Sequence, residues 1–153
     1  MPWFRNPLTW RLRQPDLSGP IRIRANVELE IRLPSGRWFP VRNCLLDTGA
    51  SFTIFSTAWA RAAGIPIPQP ISTMPLLTAA GNRNARVRDA DLHVRFRLLR
   101  EFPFNLAAVF SDDYSPTAPP LLGLHNLLNS WRFTFDGTPN PAAIMGHMWF
   151  ETL

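Results

Sequence analysis

Leu45-Leu46-Asp47-Thr48-Gly49-Ala50-Ser51 places a carboxylate, a hydroxyl and a glycine directly after a run of apolar residues. An acid that follows two leucines is expected at a buried strand end, where loss of solvent disfavours its charged form. Perturbed carboxylates cluster at functional sites, so Asp47 is a candidate catalytic residue. The alternative is an aspartate that caps a turn between two strands, a common position for Asp shortly before Gly. The stretch alone favours neither interpretation.

Length and composition limit the fold class. A chain of 153 residues is long enough for one domain with a sizeable core, which buries roughly 70% of the unfolded surface. An apolar content of 46% argues against global disorder, while 16 prolines and 8 glycines indicate many turns and few long helices. The composition therefore predicts a mostly β domain.

The single cysteine bears on the cellular compartment. Cys44 has no second cysteine in the chain to form a disulfide, so an oxidising compartment is not indicated. Its apolar neighbour Leu45 predicts that it is small and buried. No apolar run approaches the length of about 18 residues that a membrane helix needs, and no compact apolar stretch marks a signal peptide. We therefore expect a cytoplasmic protein without a membrane segment.

The basic charge comes from arginine alone. The net charge is +5, and the sequence contains no lysine. Arginine can recognise phosphate groups, so a nucleic-acid partner has to be considered. However, apolar and polar residues alternate over Ile21–Arg32. The polar face of this strand carries both signs of charge, from Arg22, Arg24, Glu28 and Glu30. A face of mixed sign is typical of a solvated strand, and we expect no nucleic-acid partner.

Several further segments have the apolar pattern of strands and are separated by turn residues. Strands are predicted over 21–32, 37–46, 52–55, 104–110, 131–135 and 142–150. Pro34-Ser35-Gly36 predicts the first turn. Ser56 is a candidate N-cap for a helix over 57–63, with Gly64 at its C-terminal end. A second short helix is predicted over 124–128.

Residues 76–87 predict a hairpin with small and polar residues at its tip. Beyond it the apolar positions change from odd to even numbers, which predicts a bulge or bend near Arg88-Asp89, where the hairpin leaves the main sheet. Residues 1–20 show no periodicity and predict an irregular arm. The end of the chain predicts a strand that could pair with another chain.

Four features resemble the retropepsin-like aspartic proteases. They are the stretch 45–51, the short helix after it, Thr78-Ala79-Ala80-Gly81 at the hairpin tip and Leu121-Leu122-Gly123. The resemblance covers 21–136 and leaves 1–20 as an N-terminal arm and 137–153 as a C-terminal segment with a strand at a dimer interface. It implies an all-β, mainly antiparallel fold with one or two short helices, closed into a barrel with one lobe per chain.

The resemblance also implies an activity and a set of roles. In that family two Asp-Thr-Gly loops meet, and this sequence holds one, so the implied enzyme is a homodimeric aspartic endopeptidase. Asp47 of each chain would share a proton and activate a water against an extended peptide, without a cofactor or metal. Thr48 and Gly49 would support the loop, with Leu121, Leu122 and Gly123 beside it. Substrate contacts would come from Gly49, Ala50, Ser51, Thr78, Ala79, Ala80 and Gly81.

Two departures from the family pattern modify these expectations. Ala50 stands where pepsin-like relatives often carry a hydroxyl, so an optimum nearer neutral than strongly acidic is expected. Leu124 and His125 follow the second glycine, where family members often have Arg or Met and then Asp or Asn. The dimer is therefore expected to rely on the tryptophan-containing arm and the C-terminal strand.

Other functions fit the sequence less well. A retropepsin-like module that only dimerises or binds peptides stays an alternative, although a scaffold has no need of a costly pair of acids. A serine triad around Ser51 lacks the second glycine of Gly-x-Ser-x-Gly, because Thr53 stands there. His93, His125 and His147 are far apart and have no ligand-spaced neighbours, so no metal site is expected.

Overall fold

The computed structural model describes residues 3–7, 25–78, 81–136 and 147–153. These residues form ten strands and one α-helix. The strands are β1 Trp3–Pro7, β2 Ala25–Arg32, β3 Trp38–Leu46, β4 Thr53–Ser56, β5 Ser72–Thr78, β6 Gly81–Phe96, β7 Phe104–Ser111, β8 Leu121–Leu122, β9 Trp131–Asp136 and β10 His147–Thr152, and the helix α1 is Thr57–Ala62. The predicted all-β class is confirmed.

The first hairpin follows the alternation of the sequence. Strands β2 and β3 pair antiparallel, with a register irregularity between Val27 and Leu29, and their apolar side chains enter the core. Gly36 in the connecting turn has a φ of 81°, a left-handed conformation that glycine adopts without steric cost. The predicted strand and turn are confirmed, except that residues 21–24 lie outside the described part of the chain.

Six strands close into a ring. Their order is β2-β3-β8-β4-β7-β6, and β6 returns to β2 through the pair Leu29 and Phe96. Most neighbours are antiparallel, while β3 with β8 and β4 with β7 are parallel. The interior is filled by fully buried apolar side chains such as Phe55, Leu106 and Phe110. The ring therefore holds the end of β3, and the Asp47 loop after it, against β8.

Strand β6 is shared between a hairpin and the ring. Residues 81–87 pair with β5, and residues 87–94 pair with β7, so the predicted hairpin is confirmed. The predicted bulge near Arg88 is wrong, because the register with β7 runs unbroken from Val87 to Val94, but β6 does change partner from β5 to β7 at Val87, close to where the hairpin was expected to leave the main sheet. The apolar phase changes because Ala85 and Val87 pack in a small second cluster with Ile54 and Val109, whereas Leu92, Val94 and Phe96 belong to the main core.

One predicted helix is confirmed and the other is wrong. The Ser56 side chain caps α1 by accepting a hydrogen bond from the Trp59 N–H at 3.3 Å, and Gly64 with a φ of 72° follows its end. Residues 124–128 form turns instead of a helix. Asn126 has a φ of 63°, and a left-handed residue interrupts a right-handed helix.

A separate three-stranded sheet joins the two ends of the chain. Strand β10 lies between β1 and β9 and pairs antiparallel with both. The arm is thus a strand over Trp3–Pro7 rather than irregular there, and the predicted terminal strand β10 has strand partners within the chain on both sides. Its place at a dimer interface and the boundaries at 20 and 136 stay predictions.

Aromatic side chains fix this second sheet to the ring. Phe96 of β6 lies 5.1 Å from Trp131 and 4.8 Å from Phe150, measured between ring centroids. Trp131 and Phe150 are buried, and burial of aromatic surface is among the largest single contributions to packing. Within the part of the chain that the structure describes, no helix has the length and apolar character to cross a membrane.

Candidate active site

Asp47 lies immediately after β3, in a loop that its own side chain organises. Asp47 Oδ1 accepts a hydrogen bond from the Gly49 N–H at 2.9 Å, and the Asp47 carbonyl accepts one from the Ala50 N–H at 3.1 Å. These are the bonds of an Asx-type turn. Asp47 is half-buried, while Thr48 and Gly49 are exposed. The expectation of a buried acid is therefore not met within one chain.

Strand β8 and the residues after it hold the Asp47 loop through main-chain hydrogen bonds. The Leu122 carbonyl accepts a hydrogen bond from the Asp47 N–H at 3.0 Å. Beyond β8, the Leu124 N–H donates to the Ala50 carbonyl at 3.0 Å and the His125 N–H donates to the Ser51 carbonyl at 2.8 Å. The Asp-Thr-Gly and Leu-Leu-Gly segments thus lie side by side, fixed by main-chain hydrogen bonds on both sides of Gly123.

Gly123 sits at the closest approach of the two segments. A Cβ atom there would lie 2.3 Å from both the carbonyl carbon and the carbonyl oxygen of Phe52, far inside van der Waals contact. The Gly123 N–H donates to the buried Thr53 Oγ1 at 3.2 Å. Only a glycine lets the backbone after β8 pass this close to the backbone before β4.

Tyr114 lies in the loop that precedes β8. Burial, and secondly the charge of Asp47, raise the pKa of Tyr114 above its usual range. The Tyr114 hydroxyl donates to the Pro119 carbonyl at 2.6 Å. Sequence reasoning did not single out Tyr114, because an isolated aromatic in a proline-containing loop has no periodic signal.

A cavity of about 280 Å³ lies between the β5–β6 hairpin and the chain after β7. It is lined by Leu76, Arg83, Asn84, Ala85, Ser111, Asp113 and Tyr114. Leu76 and Arg83 are cross-strand partners in the hairpin. Tyr114 contributes to this cavity from the loop that precedes β8.

The hairpin tip is only partly described. Thr78 ends β5 and Gly81 begins β6, and the two residues pair across the hairpin. Gly81 has a φ of 102°. Ala79 and Ala80 lie outside the described residues. Substrate contacts from Thr78, Ala79, Ala80 and Gly81 therefore stay predictions.

The remaining reactive side chains have structural surroundings. Cys44 is fully buried, and burial raises the pKa of its thiol to about 12, so it stays a protonated thiol. His93 lies 3.1 Å from Asn105 Oδ1, and His125 packs against the Phe52 ring. Among the described residues, no group of three or more His, Cys, Asp or Glu side chains is arranged to hold a metal ion.

Comparison with known proteins bears on the same region. A family model described as aspartyl protease matches residues 35–125, more than half of the chain. The matched range contains the Asp47 loop, the β5–β6 hairpin and Leu121-Leu122-Gly123. A search of curated proteins found no match. The extent of the family match places this chain in the aspartyl protease family.

Proposed function

We propose that this chain is an aspartic endopeptidase that is active as a homodimer, with Asp47 of each copy as the catalytic acid. The observation that carries the proposal is the Asp47 loop itself. It presents a half-buried carboxylate beside exposed Thr48 and Gly49, yet hydrogen bonds from Leu124 and His125 fix its backbone. A carboxylate that is accessible and also held by rigid backbone suits catalysis, because positioning lowers the cost of reaching the transition state.

A second chain supplies the second acid in this proposal. The two acidic residues that precede Tyr114 are already engaged, because Asp112 pairs with Arg88 and Asp113 accepts a hydrogen bond from the Arg86 N–H at 3.0 Å. A twofold axis through the exposed end of the Asp47 loop would bring two identical carboxyls together, which is the simplest closed assembly for one acid per chain.

The two carboxyls would divide the chemistry. Two acids within hydrogen-bonding distance cannot both ionise cheaply, so one proton is shared. The charged carboxylate takes a proton from a water between them, and the oxygen of that water attacks the carbonyl carbon of the scissile peptide. The protonated carboxyl donates its proton to the carbonyl oxygen, whose double bond to carbon becomes a single bond. The product of this step is a non-covalent tetrahedral intermediate. The two pKa values of the carboxyl pair belong to the pair as a whole and cannot be assigned to either Asp47.

Cleavage of a denatured protein mixture tests the catalytic role. Wild type and Asp47→Asn are incubated with the mixture from about pH 4 to pH 7, with and without a peptide that mimics the tetrahedral intermediate. We expect inhibitor-sensitive cleavage by wild type and none by Asp47→Asn. Asp91→Asn is the matched control, because Asp91 is an exposed carboxylate on β6. Equal cleavage by wild type and Asp47→Asn would refute the catalytic role.

Mixing the two proteins tests whether the site is shared. When an equal amount of Asp47→Asn is added to a fixed amount of wild type and subunits exchange, only a quarter of all dimers keep two Asp47 side chains. The activity of the wild type should then fall by half. An activity that does not change, together with a monomer mass by light scattering at the assay concentration, would contradict the homodimer.

The same experiments address the alternative function. A retropepsin-like module that only binds peptides would retain the transition-state mimic without cleaving the protein mixture. Binding by both wild type and Asp47→Asn, with cleavage by neither, would favour that alternative.

A further inference from the structure

The β5–β6 hairpin leaves the ring at one position of β6. Ser72 of β5 and Ser111 of β7 both pair with Val87. Residues of β6 before Val87 pair with β5, and those after it pair with β7 until Val94. Any change in the angle of the hairpin relative to the ring must therefore occur close to Val87.

An ion pair with a buried cation lies directly at this position. Arg88 Nη1 is 2.5 Å from Asp112 Oδ1, the Arg88 side chain is 9% exposed and the Asp112 side chain is 28% exposed. A guanidinium removed from water is costly unless a partner compensates it, and breaking such a pair by removing one partner is strongly unfavourable. This pair therefore holds β6 to the chain after β7 more firmly than an exposed pair could.

Backbone hydrogen bonds reinforce the same junction. The Asp112 N–H donates to the Arg86 carbonyl at 3.1 Å, and the Arg86 N–H donates to Asp113 Oδ2 at 3.0 Å. The Asp113 N–H donates to Ser111 Oγ at 3.2 Å. Together with the ion pair, these bonds fix the hairpin base to the segment that leads into Tyr114.

The Asp112 carboxylate is stabilised in its charged form by two side chains. One of them, Thr57, is buried at the start of α1. The Thr57 hydroxyl, and after it the Arg88 guanidinium, hold the pKa of the Asp112 carboxyl below its usual range. Asp112 is therefore charged over the pH range in which a peptidase of this kind would be assayed.

We propose that Arg88 and Asp112 are positioning residues, whose ion pair sets the angle of the β5–β6 hairpin relative to the Asp47 loop. This inference rests on the proposed function and on the substrate contacts that the family resemblance implies for the hairpin tip at 78–81. The cavity beside Tyr114 is formed by hairpin residues on one side and by Ser111, Asp113 and Tyr114 on the other. A pair that joins these two sides controls how far the cavity opens.

Kinetics of variants at the pair test this role. Contacts from a covering hairpin are made in the ground state and the transition state alike, so their loss raises KM with little change in kcat. For Asp112→Asn and Arg88→Gln we expect KM for an extended peptide to rise about tenfold, with kcat within about twofold of wild type. Arg88→Lys should restore much of the affinity, because the contact uses one nitrogen and one oxygen.

Arg97→Gln is the matched control. Arg97 pairs with Glu28 at 2.7 Å, but both side chains are more than 40% exposed, and exposed pairs contribute little. Its KM should match that of wild type. A fall in kcat equal to the rise in KM, or an equal KM change in Arg97→Gln, would overturn the positioning role.

Amide hydrogen exchange provides a measurement that does not depend on activity. Exchange over residues 72–78 and 81–87 should be faster in Asp112→Asn than in wild type, and should stay unchanged in Arg97→Gln. Unchanged exchange in Asp112→Asn would refute the proposal. If wild type cleaves nothing, the proposed function fails, while the exchange measurement still decides whether the pair holds the hairpin.

Discussion

Substitution of Gly123 by alanine should damage both stability and the Asp47 loop. The added Cβ would meet the Phe52 backbone at 2.3 Å. Ordinary contact needs about 3.4 Å or more, so one of the two backbones must move by about 1 Å. The backbone cannot rotate away as a flexible side chain could. The same movement lengthens the hydrogen bonds of the Gly123, Leu124 and His125 N–H groups.

The expected cost follows from these contacts. Overpacking costs about 1–3 kcal/mol, and each of the three weakened hydrogen bonds adds about 0.5–1.5 kcal/mol. The free energy of unfolding should therefore fall by about 2.5–7.5 kcal/mol, a large part of the roughly 5–15 kcal/mol that stabilises a typical domain. A domain of this size loses about 2–4 °C of Tm per kcal/mol, so Tm should drop by at least about 5 °C.

Thermal and urea unfolding of Gly123→Ala measure this loss. Gly36→Ala is the control, because a Cβ at Gly36 meets no atom within 4 Å. Its cost comes only from the left-handed backbone and should be about 1–2 kcal/mol. If both variants lose the same stability, the close approach at Gly123 does not constrain the fold, and the reasoning is refuted.

Two further predictions concern titratable side chains. The pKa of Tyr114, the single tyrosine of the chain, should fall in Asp47→Asn, because a negative charge that opposes phenolate formation is removed. Phenolate absorbance measures this pKa. An identical fall in Asp91→Asn would show that the effect is not specific to Asp47. Stability should decrease as the pH rises from about 9 to about 12, because the unfolded Cys44 thiol ionises near 9 while burial holds the folded pKa at about 12. Cys44→Ala should lose less stability than wild type over this range in urea unfolding, and equal losses would contradict the contribution of the thiol.

Local patterns of the sequence predicted the parts of the fold that rest on local physics. The alternation over 25–32, the turn at Gly36 and the Ser56 cap all appear where expected, because each depends on neighbouring residues. The Leu121-Leu122-Gly123 segment could be placed beside Asp47 only through the family resemblance. Nothing in the sequence around Leu121 and Leu122 indicates that these two residues form a strand between β3 and β4, which lie about seventy positions earlier in the chain.

Predictions that depended on distant partners were less successful. The change of apolar phase near Arg88 predicted a bulge, but it arises because the strand contacts two different apolar clusters, one before Arg88 and one after it. Residues 124–128 contain helix formers, yet Asn126 adopts a left-handed conformation. Asp47 was expected to be buried, and in one chain it is half-buried, since the contacts that would bury it further belong to a second copy in the proposed dimer.

The position of β10 between β1 and β9 has a consequence for folding. Pro7 pairs with His147, so the two partners are 140 positions apart in the chain. At about 5–20 residues per second, synthesis would keep the first segment waiting roughly 7–30 s for its partner strand. Closing so long a loop also carries a larger entropic cost than closing the β2–β3 hairpin. Strand β1 should therefore join β10 last, after the ring is complete.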